Sequence, residues 1–140
     1  MGFKVSGLSD LMDGFDKLAQ LPLRTKNEML NAGADVLVKE QQRTAKNMLR
    51  GEYSIGQLAE SITRKKPRAT KDGNSVRVVF EGEAGVNVKT PMGYIAFINE
   101  FGKTNQPARP FIKTAIENSA DEVAEAEGRV LDDYIDSIGF

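Results

Sequence analysis

Apolar residues recur at steps of three and four in several separate parts of this chain, and in one part they alternate. Over residues 7–20, Leu8, Leu11, Met12, Phe15, Leu18 and Ala19 share one stripe, while Asp10, Asp13, Asp16 and Lys17 line the other side. That spacing predicts an amphipathic helix. Leu21-Pro22 interrupts it, and a second helix is expected over about 23–50, with Met29, Leu30, Gly33, Val36, Leu37, Glu40, Thr44 and Met48 on one face. Gly33 and Ala34 are small, so another helix is expected to come close there. Lys39, Arg43, Lys46 and Arg50 complement the dipole at its C-terminal end. Residues 54–62 read as a turn and a short helix.

From Ser75 to Gly82 the period changes to two. Val76, Val78 and Phe80 alternate with Arg77, Val79 and Glu81, the mark of a strand with one more apolar face. Asp72-Gly73-Asn74 before it supplies turn chemistry, and Val86 and Val88 suggest a shorter strand over 85–90. A small antiparallel sheet of about three strands is expected, over 61–69, 74–82 and 85–90. Pro67 makes the first strand an edge or interrupts it.

Helical spacing then returns in two pieces. Tyr94, Ile95, Phe97, Ile98 and Phe101 form a short apolar segment, with Glu100 almost alone among them, and Gly102 closes it. After the polar loop 103–108, Pro110 opens a long helix over about 109–136, because its missing N–H costs nothing in the first turn. The expected stripe is Ile112, Ala115, Ile116, Ser119, Val123, Val130, Leu131 and Tyr134. The pattern is α+β: two N-terminal helices, a small antiparallel sheet, a short helix and a long C-terminal helix. Its 140 residues suit a single domain, 1–140, with no linker, repeat or low-complexity segment to divide it.

Composition narrows the chemistry. With neither Cys nor His, the chain has no disulfide, no thiolate metal site, and none of the commonest general base. No catalytic, cofactor-binding or metal-binding residues are assigned, and no cofactor is expected. Glu100 among aromatic side chains has the setting of a general acid, but no second carboxylate or base has a defined place beside it. It is expected to pair with Arg109 or to cap backbone N–H groups of the 102–109 loop. Asp132, Asp133 and Asp136 read as solvated acids near a helix end. No stretch approaches a membrane span, and the N-terminus lacks the apolar region of a signal peptide.

Charge is unevenly distributed. Residues 1–71 hold thirteen basic and eight acidic side chains, and residues 72–140 hold six basic and twelve acidic. This suits either two solvated faces or a subunit whose two ends attract copies of itself. Arg64, Lys65, Lys66, Arg68 and Lys71 crowd into residues 64–71. They either discourage edge pairing or grip phosphates without reading sequence.

The stretch 94–115, a tyrosine and apolar run ending Glu-Phe-Gly, then a polar loop, then Arg-Pro-Phe-Ile and an alanine, resembles the tail-completion (neck) family of long-tailed bacteriophages. Gly56, Leu58, Ser61 and Ile62 match that family's Gly-x-Leu-x-x-Ser-Ile element. Lys103 departs from the usual Glu-Phe-Gly-Thr, with Thr104 one place late. The resemblance implies a structural virion component, not an enzyme. It would complete the tail and join it to the head at the neck as a homo-oligomeric ring around the DNA channel, with a hexamer as the candidate size. The implied partners are copies of itself and the tail-tube, terminator and head-connector proteins, with non-specific contact to passing DNA through 64–71. It implies a place in the virion tail or neck, and in the host cytoplasm during assembly. A tail terminator is the near alternative. Tyr94, Phe97, Phe101 and Phe111 are expected to form the packing frame of an interface, with Glu100 and Arg109 as its orienting polar contacts.

Overall fold

The structure is a computed structural model; it describes residues 20–49, 56–71, 73–85 and 87–139. The helix expected over 7–20 lies outside the described residues, apart from Gln20.

Helix α1 (Leu23–Met48) follows Pro22, whose carbonyl accepts the Lys26 N–H at 3.1 Å. A short helix α2 (Gly56–Glu60) leads into β1 (Ile62–Arg64). Four further strands follow: β2 (Arg68–Thr70), β3 (Gly73–Ser75), β4 (Val78–Phe80) and β5 (Glu83–Ala84). Then come β6 (Thr90–Pro91), α3 (Met92–Phe101) and α4 (Phe111–Ser137). The α+β order matches the sequence pattern.

The strands pair differently from a three-stranded sheet. They form three antiparallel pairs, β1 with β4, β2 with β3, and β5 with β6. The first two belong to one bent hairpin. Ile62 faces Phe80 and Arg64 faces Val78, and the Lys65 N–H donates to the Arg77 carbonyl at 2.8 Å. Beyond that point Arg68 faces Ser75 and Thr70 faces Gly73. The register has slipped by one, so Lys66 and Pro67 together stand opposite the single residue Val76. This is a bulge, and it sits where Pro67 has no N–H to give the ladder.

Of the strand expected over 85–90, only Thr90 among the described residues is in a strand, and Gly85 opens a reversal between β5 and β6. Gly85 has φ of 107°, and a Cβ there would lie 2.1 Å from the Val88 carbonyl oxygen. Only glycine permits so tight a return.

The main core gathers at one end of the molecule. Ala45, Leu49, Leu58, Ala59, Ile62, Met92, Ala96 and Phe111 are buried together, with Val78, Phe80 and Ile112 packed against them. Leu58 and Ile62 carry the apolar part of the Gly-x-Leu-x-x-Ser-Ile element, and the Ser61 hydroxyl donates to the Leu58 carbonyl at 2.7 Å, closing α2. Phe111 is wholly buried and meets Phe80 edge to face, with ring centroids 6.0 Å apart.

Helices α1 and α4 make the most extensive contact between elements. An added Cβ on Gly33 would lie 2.5 Å from the Glu127 carboxylate, so the small residue does admit a close neighbour. Glu40, near the other end of α1, interacts with Asn118. The two helices are therefore antiparallel. Ile116 departs from the expected stripe and is 50% exposed, whereas Ala115, Ser119 and Ile135 are buried. On α1 the Arg43 guanidinium hydrogen-bonds Glu40 and holds its carboxyl below the usual carboxylate range.

Candidate interaction site

Helix α4 begins without a cap of its own. Pro110 stands at its N-cap position and offers no side-chain acceptor. The first amides are satisfied from elsewhere. Glu100, at the end of α3 and only 8% exposed, accepts the Ile112 N–H at 2.8 Å and the Lys113 N–H at 3.1 Å. Both carboxylate oxygens are thus committed at a helix N-terminus, where negative charge is favoured. The expected pairing with Arg109 and capping of the 102–109 loop give way to this remote cap on α4. With its acceptors so used, Glu100 serves as a tie between two helices.

Arg109 has another partner. Its Nη2 donates to Asn99 Oδ1 at 2.8 Å, and its backbone N–H donates to the Asn99 carbonyl at 2.7 Å. Gln106 Nε2 also donates to Asn99 Oδ1, at 3.2 Å, while Asn99 Nδ2 donates to the Ile95 carbonyl at 2.9 Å. Asn99 is the hub of the loop, and the sequence reading missed it. Its only signal was a polar residue beside Glu100 in an apolar run. Gly102 completes the joint with φ of 78°, and an added Cβ would lie 2.8 Å from both Ala108 N and the Gln106 carbonyl oxygen.

The inward face of α3 is Met92, Ala96, Asn99 and Glu100. Its large aromatics therefore point outward. Tyr94 and Phe97 are each 58% exposed and Phe101 is 68% exposed. Steps of three and four put them on one face. Phe97 and Phe101 lie against each other with centroids 4.8 Å apart. Of the four aromatics expected in the packing frame, Phe111 lies in the core, and the other three make an exposed ridge beside the Glu100 and Asn99 anchors.

A second apolar feature lies toward the other end of the α1–α4 pair. Two adjoining hollows of about 380 and 350 Å³ share Leu30 and Glu127. Met29, Leu37, Val76, Val78 and Val123 supply much of their apolar lining.

The basic segment is partly neutralised. Arg64 Nε reaches Asp35 Oδ1 at 2.6 Å, and Lys65 pairs with Glu81. Lys66, Arg68 and Lys71 are exposed and form no ion pair with a described residue. Among the described residues no three acidic side chains converge to hold a metal ion, and no helix is long and apolar enough to cross a membrane.

A family model described as "Bacteriophage HK97-gp10, putative tail-component" matches residues 9–102, more than half of the chain. The chain belongs to this family. The match takes in α1 to α3, with the Glu-Phe-Gly ending and the aromatic ridge, and stops at the Gly102 joint. The opening of α4 lies beyond it. Membership makes the chain a bacteriophage tail component. No curated protein and no solved structure matches this tail component.

Proposed function

We propose that this tail component completes the phage tail and joins it to the head at the neck, as a single-domain subunit of a homo-oligomeric ring around the DNA channel. The observation that carries the reading is the ridge of Tyr94, Phe97 and Phe101. Three neighbouring large aromatics left in water are an unusual surface for a monomer, and aromatics are the side chains that dominate protein interfaces. They stand on a helix whose position is held by Glu100, Asn99 and Gly102, so little freedom remains to be lost on contact. Glu100, Arg109 and Phe111 act by fixing that platform.

Sedimentation and negative-stain imaging of the purified chain, alone and with the tail-tube and head-connector proteins, test the reading. Rings are expected in at least one of these mixtures. A strict monomer in all of them counts against it.

A second reading concerns DNA, and the exposed Lys66, Arg68 and Lys71 favour it. In a ring these side chains, with Arg64 and Lys65 behind them, would meet passing DNA through its phosphates.

A further inference from the structure

A ring needs one surface that fits a different surface on the next copy. This chain carries an apolar ridge on α3 and an apolar groove between α1, α4 and the bent hairpin. Glu100 fixes the ridge beside Ile112 and Lys113, whereas Val123 and Glu127 line the groove. Ten to fifteen helical residues separate these points, roughly 15–20 Å along α4. The two features are therefore distinct surfaces at different levels along α4.

Their surroundings differ in charge. Residues 89–113, which carry the ridge, hold Lys89, Lys103, Arg109 and Lys113 against Glu100 alone, and Glu100 is buried in its cap. Residues 121–137, which form the groove's α4 wall and its extension, hold seven acidic side chains and only Arg129 of opposite sign. Lys26 also lines the first hollow and the β2–β3 hairpin brings Arg68 and Lys71 to the other side, so the acidic character belongs to the α4 wall alone.

We propose that the ridge of Tyr94, Phe97 and Phe101 seats in the Leu30–Leu37–Val123 groove of a second copy of this chain, head to tail. The inference rests on the ring reading and names the surfaces that close it. Aromatic side chains leave water for an apolar hollow, and basic flanks meet an acidic wall, which favours the oriented encounter over ridge-on-ridge pairing.

The chain has no cysteine, so engineered thiols report cleanly. Phe101→Cys and Met29→Cys, combined in one chain, lie too far apart within a copy for a disulfide, which needs Cα atoms within about 7 Å. Mild oxidation of this double variant is expected to give a ladder of covalent multimers, at least about tenfold more than either single variant alone. A mixture of the two single variants is expected to stop at a covalent dimer. Unchanged thermal melting of both variants establishes that they fold.

Phe101→Cys joining efficiently to itself overturns the proposal in favour of ridge-on-ridge contact. A disulfide within one chain between Met29→Cys and Phe15→Cys overturns it too, since the chain's own N-terminal segment then fills the groove. Oligomers that form without ridge-to-groove crosslinks sink this inference and leave the ring standing. A monomer at every concentration, with and without the tail-tube protein, removes both.

Discussion

Glu100 shows how one side chain can change meaning between sequence and structure. In the sequence it is a charge stranded among aromatics, which is the pattern of a perturbed catalytic acid. In the structure it fills the place of the N-cap that Pro110 leaves empty. Glu100→Ala strips two helix amides of their acceptor and is expected to cost about 2 kcal/mol, read by chemical denaturation. Gly102→Ala combines a left-handed backbone with a clash against the 106–108 backbone, and is expected to cost at least about 2 kcal/mol by the same measurement. Ser119 behaves in the opposite way. Its hydroxyl is buried between α1 and α4 with no hydrogen-bond partner among the described residues. Ser119→Ala removes that unmet group and improves helix propensity, so it is expected to stabilise the chain by about 0.5–1 kcal/mol, seen as a higher melting temperature.

Helix α3 is the element that periodicity alone misdirects. Its apolar residues cover more than one face, so their spacing did not decide which face turns inward. The decision came from long-range partners: Asn99 and Glu100 have backbone groups of the loop and of α4 to satisfy, and Ala96 lets α3 come close to the core. The aromatics were left outside. Long helices, by contrast, were legible from the sequence. α1 and α4 fall within two residues of their expected bounds, because a sustained three-and-four pattern needs no knowledge of partners. The strands were legible only as a region. Their alternation was real, but the Pro67 bulge and the Gly85 reversal cut it into pieces too short for a period of two to mark. Phe97→Ser with Phe101→Ser tests the division of labour on α3. Stability is expected to change by less than about 1 kcal/mol, since both rings are exposed. Assembly, followed by sedimentation, is expected to be lost.

At the scale of the whole molecule, the division of charge between the halves of the sequence does not become a division between two ends. The antiparallel α1–α4 pair lays the first half of the chain along the second. What survives is a contrast within the second half of the sequence, basic around the ridge and acidic along the last turns of α4. The bent hairpin adds a separate basic feature, of which Arg64 and Lys65 are already paired within the chain. Neutralising Lys66, Arg68 and Lys71 to Gln is expected to flatten the salt dependence of DNA binding, measured by titration over a range of ionic strength. An unaltered slope would remove DNA contact from the proposed roles of this face, and would leave the ring proposal unaffected.

The carboxylate clasp between α3 and α4 has a mechanical side. Both oxygens of Glu100 grip amides that point along the axis of α4, so a push on the ridge is delivered lengthwise into a helix of 27 residues. A member loaded along its length shares the thrust among the hydrogen bonds of every turn, and none is peeled open singly.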